Sequence, residues 1–455
     1  MINSQALITS IKVKKLFGLY TYELPYKDLF SDAVILYGDN GVGKSTLLRL
    51  VFHLLSSAND RGHRRALYET IFDELILTLY SGYVLSAYRD VKTEELVLEI
   101  KKDSEQLACW KYKPKGRDRV EEIVDAAGDR FLLINGKLQP ISKDPSKKDT
   151  FGEEGYLKLL RECSPKSFIL NAERRLSGDT IPDADDEIEY RRFLRHEDRK
   201  ELASLVERSR EIALTQALAR ASHWVSSKVF EGANIGAISV HGVYVDILNR
   251  LIAKDNNKVT NKSESIDLAR RISEVSSKTS DYSKYKLAQI LDLGAFTDAL
   301  QNTDVGTLDL VITLIEPYIE SLESRLNAVK DLYEILHKFI SIANSLLRDK
   351  SINFTPAYGF IIRNKLKEEL KPSQLSSGEQ QLLLLFCYIL VARDSPSIFM
   401  IDEPEISLNI KWQRELIQSL LEITAGAQVQ FIFASHSMEL LSQHASRVVQ
   451  LKDLS

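Results

Sequence analysis

Residues Gly38-Asp39-Asn40-Gly41-Val42-Gly43-Lys44-Ser45 follow the pattern GxxxxGK[ST], and no other stretch constrains the fold as tightly. Such a loop works only between a buried strand and a helix. Its glycines let backbone N–H groups turn inward around a phosphate, and the helix N-terminus that follows favours the negative charge. Both flanks are present. Val34 to Tyr37 is a short apolar run suited to a buried strand, and Thr46 to Leu55 has helical spacing. The loop therefore predicts an α/β core that holds a nucleotide. Lys44 would reach the β- and γ-phosphates, and Ser45 would offer a hydroxyl to Mg²⁺. Asn40, Gly41, Gly43, Lys44, Ser45 and Thr46 are the candidate contacts on this side.

Three further motifs follow in order. Ser397 to Ile401 reads as a buried strand that delivers Asp402-Glu403-Pro404 at its C-terminal end, where ligands bind in open α/β sheets. Asp402 would hold Mg²⁺, and Glu403 would orient and polarise an attacking water. Leu375-Ser376-Ser377-Gly378-Glu379 opens a helix, so Ser376 and the Gly378 backbone can offer donors to a phosphate. Ser before Glu at this spacing also fits a plain capping box. Ser435-His436 follows the apolar strand Val429 to Ala434, where a lone histidine is usually structural.

The rest of the chain divides by periodicity. Ile8 to Val13, Tyr20 to Leu24, Leu75 to Tyr88, Glu95 to Lys101 and Ser167 to Leu170 read as strands, with polar turns from Lys101 to about residue 150. Glu187 to Phe230 and Val311 to Leu347 carry apolar residues at i, i+3 and i+4, with the polar stretch Asp255 to Glu264 between the two helical blocks. Trp412 to Thr424 reads as an amphipathic helix. The expected plan is a nucleotide-binding lobe at 1–185, a helical insertion at 186–350 and a second lobe at 351–455.

Composition excludes little. A net charge of −4 over 455 residues advertises no global field for nucleic acid. The basic clusters Lys111 to Arg119 and Arg191 to Lys200 are more often solvated surface than phosphate contacts. Three separated cysteines form neither a disulfide framework nor a zinc hook. No signal-peptide pattern opens the chain, and the longest apolar run, Leu382 to Ala392, is too short to span a bilayer. A cytoplasmic protein without a membrane partner is expected. The eight histidines are scattered, and His53 and His63 lack metal-site spacing, so no nuclease centre is expected in this chain.

With its four motifs in this order, the chain resembles the AAA15/AAA21-type ATPases of the ABC/SMC/RecF class. Leu375 to Glu379 is similar to the LSSGE-type signature, and Asp402 to Asn409 with Ala434-Ser-His-Ser437 resembles stand-alone bacterial members. The resemblance implies an ABC-type head with a mixed sheet flanked by helices and a helical insertion. It also implies ATP and Mg²⁺ as cofactors, with Ser376 and Gly378 meeting the γ-phosphate held by an opposite protomer. His436 then corresponds to the switch histidine. Asn409 departs from the usual Asp of the D-loop, and a substitute for the lobe-I glutamine is sought at Asn171 to Arg175. Phe17 and Tyr20 are adenine neighbours or core residues.

Many such ATPases serve anti-phage defence. OLD enzymes carry a Toprim nuclease after the ATPase, whereas this sequence stops soon after His436. Rad50-type proteins carry a zinc hook and long arms. The Septu-type (PtuA-like) or PARIS-type (AriA-like) subunit is the expected match. That pattern implies a homo-oligomer of ATP-bridged dimers with a separately encoded nuclease of HNH or Toprim type, and possible contact with DNA. A transporter nucleotide-binding subunit and a RecF-like repair ATPase are the alternatives.

Overall fold

A computed structural model describes residues 6–25, 30–59, 61–90, 92–114, 121–124, 130–134, 137–140, 152–171, 176–179, 199–235, 247, 262–303, 305–405 and 410–454. The chain divides into two compact units, one of Met1–Glu187 with Ala392–Ser455 and one of Ile188–Val391.

The first unit opens with β1 (Ile8–Leu16), β2 (Tyr20–Leu24) and β3 (Ala33–Tyr37), then α1 (Lys44–Leu55) and α2 (His63–Glu69). The strands β4 (Glu74–Leu79), β5 (Tyr83–Arg89), β6 (Leu96–Lys102) and β7 (Glu105–Tyr112) follow. Next come the short β8 (Glu121–Val124), β9 (Arg130–Ile134) and β10 (Lys137–Pro140), then α3 (Glu153–Cys163), β11 (Lys166–Leu170) and β12 (Leu176–Gly178). The second unit holds α4 (Arg199–Ile235), α5 (Lys262–Ser283), α6 (Gly294–Asn302), α7 (Val305–Leu346), β13 (Lys350–Thr355), β14 (Gly359–Asn364) and most of α8 (Ser377–Ala392). The chain then completes the first unit with β15 (Ser397–Asp402), α9 (Ile410–Ile423), β16 (Val429–Ala434), α10 (Met438–Gln443) and β17 (Val448–Gln450).

Two six-stranded sheets and a three-stranded one, in the order β10-β9-β8, lie in the first unit. One six-stranded sheet is antiparallel, in the order β2-β1-β4-β5-β6-β7. The other runs β12-β11-β15-β16-β3-β17, parallel except for β12. Every residue of β15 and β16 is buried, which explains their continuous apolar reading. Alternation then sorts their side chains. Ile398, Met400, Ile432 and Ala434 join one core with Leu47, Leu48, Val51 and Leu54 of α1 and with Leu75, Leu77 and Leu85 of the antiparallel sheet. Helix α1 thus shares its core with both sheets. Phe399 and Phe431 have the opposite parity, and Phe399 stacks on Phe168 with centroids 4.6 Å apart.

Several expectations change in detail. The run Leu75 to Tyr88 is two strands, because Gly82 (φ 83°) turns the chain and its N–H bonds the Leu79 carbonyl at 3.0 Å. The segment expected as turns to residue 150 instead contains β7 to β10. The strand β7 was obscured because its first residues, Glu105 and Gln106, are exposed, while Ala108 and Trp110 still pack inward against α3. The helix expected from Glu187 begins, in the described residues, at Arg199, and 255–261 lie outside those residues.

Within the second unit, Leu268, Ile272 and Val275 of α5 pack on Ile312, Ile315 and Ile319 of α7. The β13–β14 hairpin belongs here as well. Asn344 at the end of α7 exchanges two hydrogen bonds with the Ile352 backbone, at 2.7 and 3.1 Å, and Ser222 of α4 accepts the Phe360 N–H at 2.9 Å. The compact unit runs on to Val391.

Candidate active site

The phosphate-type loop sits where the pattern requires, between β3 and α1. Gly41 and Gly43 have φ of 87° and 90°, a left-handed conformation that an L side chain resists. At Gly43 there is no room either. A Cβ there would lie 2.8 Å from Leu16 Cδ2 and 3.0 Å from Phe17 Cε2. The Tyr22 hydroxyl donates to the Val42 carbonyl at 2.9 Å and steadies the loop from β2. Lys44, almost wholly buried, folds back and donates to the Gly38 and Asp39 carbonyls at 2.7 and 3.0 Å. Its charge is thereby held over the loop. Asn40, Gly41 and Thr46 lie on the same loop and first helical turn.

Strand parity delivers the acidic partner. Asp402 shares its side of β15 with Ile398 and Met400, which face α1. Its carboxylate accordingly meets the first turn of α1, and Ser45 Oγ donates to Asp402 Oδ1 at 2.8 Å. Asp402 is only 5% exposed. Burial pushes its carboxyl above the usual range, while the Ser45 hydrogen bond and the charges of Arg49 and Lys44 oppose that shift.

Glu403 breaks the strand geometry. It adopts φ 48°, rare for a glutamate, and its N–H bonds the Ala434 carbonyl at 2.8 Å. The register pairs Asp402 with Ala434, so the residues following the two strands emerge side by side. Glu403 Oε1 lies 3.5 Å from His436 Nδ1. Lys44, Ser45, Asp402, Glu403 and His436 therefore gather at the C-terminal ends of β3, β15 and β16. Such a set holds a charged lysine, a hydroxyl–carboxylate pair and a carboxylate–imidazole pair at one sheet edge.

Ser376 and Gly378 lie in the second unit. Ser376 caps α8, and the capping box is formed. The Ser376 N–H and hydroxyl donate to Glu379 Oε2 at 2.8 and 2.9 Å, and the Glu379 N–H reaches back to Ser376 Oγ at 3.4 Å. Glu379 is buried and paired with Lys350, whose Nζ lies 2.9 and 3.0 Å from its two oxygens. Ser376 itself is exposed. The cap and an exposed serine poised for a ligand are thus compatible.

Phe17 is 40% exposed over Gly43, while Tyr20 stacks on Tyr22 and packs against the core. Residues 172–175 and 406–409, where the glutamine substitute and the D-loop were sought, lie outside the described residues, as does most of Arg191 to Lys200. Among the described residues, no three or more His, Cys, Asp or Glu side chains are grouped so as to hold a metal. Mg²⁺ is bound through one or two carboxylates together with substrate phosphates rather than by a protein cage. Ser45 and Asp402 supply hard oxygens of that kind. Sequence reasoning passed over Glu405, although its place two residues after Glu403 was visible.

Segments of the chain are similar to ATP-binding proteins of the ABC class. Residues 241–442, less than half of the chain, match the AAA_21 family, described as an AAA domain and linked in that description to AbiEii and type IV toxin–antitoxin systems. An uncharacterised ABC transporter ATP-binding protein, YejF of Escherichia coli K12, is 27% identical over 125 residues, covering 27% of this chain and 23% of that protein. The molybdenum import ATP-binding protein ModC of the same strain is 33% identical over 82 residues, 18% of this chain and 22% of ModC. The chain therefore spans less than a quarter of these curated relatives. Among solved structures, the Smc head domain of Pyrococcus furiosus bound to the C-terminal domain of ScpA covers 98% of this chain and 94% of its own, at 12% identity and a TM-score of 0.36. Among the described residues, no helix is long and apolar enough to cross a membrane.

Proposed function

We propose that this chain binds Mg²⁺-ATP and hydrolyses it. The observation that carries the reading is the convergence of Ser45 with Asp402 and of Glu403 with His436 beside a lysine-bearing phosphate loop. Lys44 would exchange its two carbonyl partners for phosphate oxygens. Ser45 and Asp402 would hold Mg²⁺, which when bound neutralises charge on the phosphates. Glu403 would take a hydrogen bond from the attacking water and polarise it, with His436 aligning the same water. Ser376 and the Gly378 N–H of a second copy would complete the site, so that ATP bridges a homodimer.

The motif pattern from Asp402 to Ser437 supports a place among anti-phage defence ATPases of the Septu or PARIS kind. In that setting this chain would hold and regulate a separately encoded nuclease. The matches to ABC transporter ATP-binding proteins favour a transporter subunit as the second reading, but the long helices α4, α5 and α7 between phosphate loop and signature count against it.

The test is ATP turnover and binding in two variants. Glu403→Gln keeps shape and removes charge. It should bind ATP as the wild type does and lose about 100-fold or more in kcat. Lys44→Ala should weaken ATP binding by at least about 30-fold, roughly 2 kcal/mol. Wild-type turnover in both would refute the site.

A further inference from the structure

Glu405 is a carboxylate that the hydrolytic reading leaves without a task, yet it is tied more closely to the chain around His436 than any other side chain of the site. Its side chain is 10% exposed. One oxygen, Oε1, accepts three donors: the Ser435 hydroxyl at 2.7 Å, the His436 N–H at 3.2 Å and the Ser437 N–H at 3.2 Å. The Ser437 N–H is shared with Ser435 Oγ at 3.0 Å. Gln413 adds a second tie. Its Nε2 donates to the Glu405 carbonyl at 3.3 Å, and its Oε1 accepts the Ser437 hydroxyl at 3.3 Å.

These bonds join the segment after β15 to the segment after β16. The His436 imidazole is itself half-exposed, with Nδ1 3.5 Å from Glu403 and 3.7 Å from Glu405. An exposed imidazole on a short loop has no packing to fix it. The backbone beneath it is fixed instead, by two N–H groups and a hydroxyl converging on one buried oxygen. Placing a carboxylate in so dry a position costs free energy unless its bonds offset that cost. Among the described residues, Oε2 of Glu405 is buried without a hydrogen-bond partner. The bonds of this side chain are therefore concentrated on Oε1.

We propose that Glu405 is a positioning residue for hydrolysis, which holds the Ser435–Ser437 loop so that His436 stands against Glu403. The inference rests on the ATPase reading above. It assigns the two glutamates of Asp402-Glu403-Pro404-Glu405 different tasks. Glu403 faces the water, and Glu405 acts only through His436.

The experiment is a double-mutant cycle on ATP turnover by the full-length protein. Glu405→Ala should lower kcat about 10- to 100-fold and change KM for ATP by less than about threefold. In a His436→Ala background the same substitution should cost less than about threefold further, because the group it positions is gone. Glu405→Gln keeps an acceptor oxygen for the three donors and should stay within about fivefold of wild type. Equal losses in both backgrounds, or an Ala variant as active as wild type, overturn the inference. Should Glu405→Ala not fold, Ser435→Ala removes one of the three donors and carries the same test. Its kcat must fall about threefold or more with His436 present and change little without it. Failure of the ATPase reading is a separate result, seen as undiminished turnover in Lys44→Ala.

Discussion

At the scale of single residues, the candidate site trades stability for charge. Asp402 is buried beside Ser45, and its carboxyl is pushed up by that burial. A raised folded-state value means that the ionised form is disfavoured in the native protein. The associated stability is fully present below the unfolded carboxylate range and is lost as pH rises through the folded value. At neutral pH, Asp402 therefore weakens the ligand-free fold. Asp402→Asn should leave the ligand-free melting temperature unchanged or higher, while Mg²⁺-dependent turnover falls about 100-fold or more. A lower melting temperature by scanning calorimetry would contradict this account. Gly43 makes the opposite case. With φ 90° and Leu16 2.8 Å from any added Cβ, Gly43→Ala should cost about 1–3 kcal/mol of stability as well as ATP binding. Equilibrium urea unfolding measures the first, and ATP titration measures the second. These residues were legible in the sequence because phosphate-loop chemistry fixes residue type and spacing together. Glu405 was not, because its value lies in where three donors from the segment after β16, about 30 residues further along, converge.

At the scale of elements, buried strands declared themselves by apolar runs, while edge strands and breaks did not. Strands β3, β15 and β16 were readable because both their faces are covered. The strand β7 hid behind polar residues on its open side, and only pairing with β6 reveals it. The far end of α1 also holds something the sequence concealed. His53 and His63 lack metal-site spacing in the sequence, yet their Nδ1 atoms meet at 2.9 Å. Asp179 lies 3.7 Å from His63 Nε2, and Arg64 donates to the His53 carbonyl at 2.9 Å. Burial first, then the facing imidazole and Arg64 and Arg49, lowers His53 to about 3. Burial first, with Arg64 and Arg61 adding to it and Asp179 opposing, lowers His63 to about 4. Depressed histidines contribute stability that is present above the unfolded value near 6.5 and is lost as pH falls toward 4 and 3. Each adds a slope of ~1.4 kcal/mol per pH unit in that window. His63→Gln should therefore flatten the loss of stability between pH 6.5 and 4.5 by about one proton's worth. Parallel stability curves for the two proteins, from urea melts at several pH values, would remove the histidine pair as a cause of acid sensitivity.

At the scale of the whole molecule, the motifs fall into two compact units. The phosphate loop, Asp402, Glu403 and His436 lie in the first unit, and the signature serine lies in the second. Within the second unit, Ser376 is bonded to Glu379, and Glu379 to Lys350 at the start of β13, so the signature is built into the body that carries the long helices. If each ATP is held by the loop of one copy and the signature of another, damage to the two halves must complement. Ser376→Arg should abolish turnover yet leave ATP binding within about threefold, because the bulky charge blocks the partner's γ-phosphate and not its own loop. Lys44→Ala should abolish turnover and weaken ATP binding at least about 30-fold. Either homodimer then has two dead sites. A mixed dimer has one site assembled from an intact loop and an intact signature, and a second site damaged twice. Mixing equal amounts gives half of the dimers this form, so turnover should return to roughly a quarter of wild type if the sites fire independently. Subunit exchange is checked by pulling down one tagged variant with the other. Exchange without recovered turnover would show that each copy completes its own site, and ATP could then not be the bond between copies.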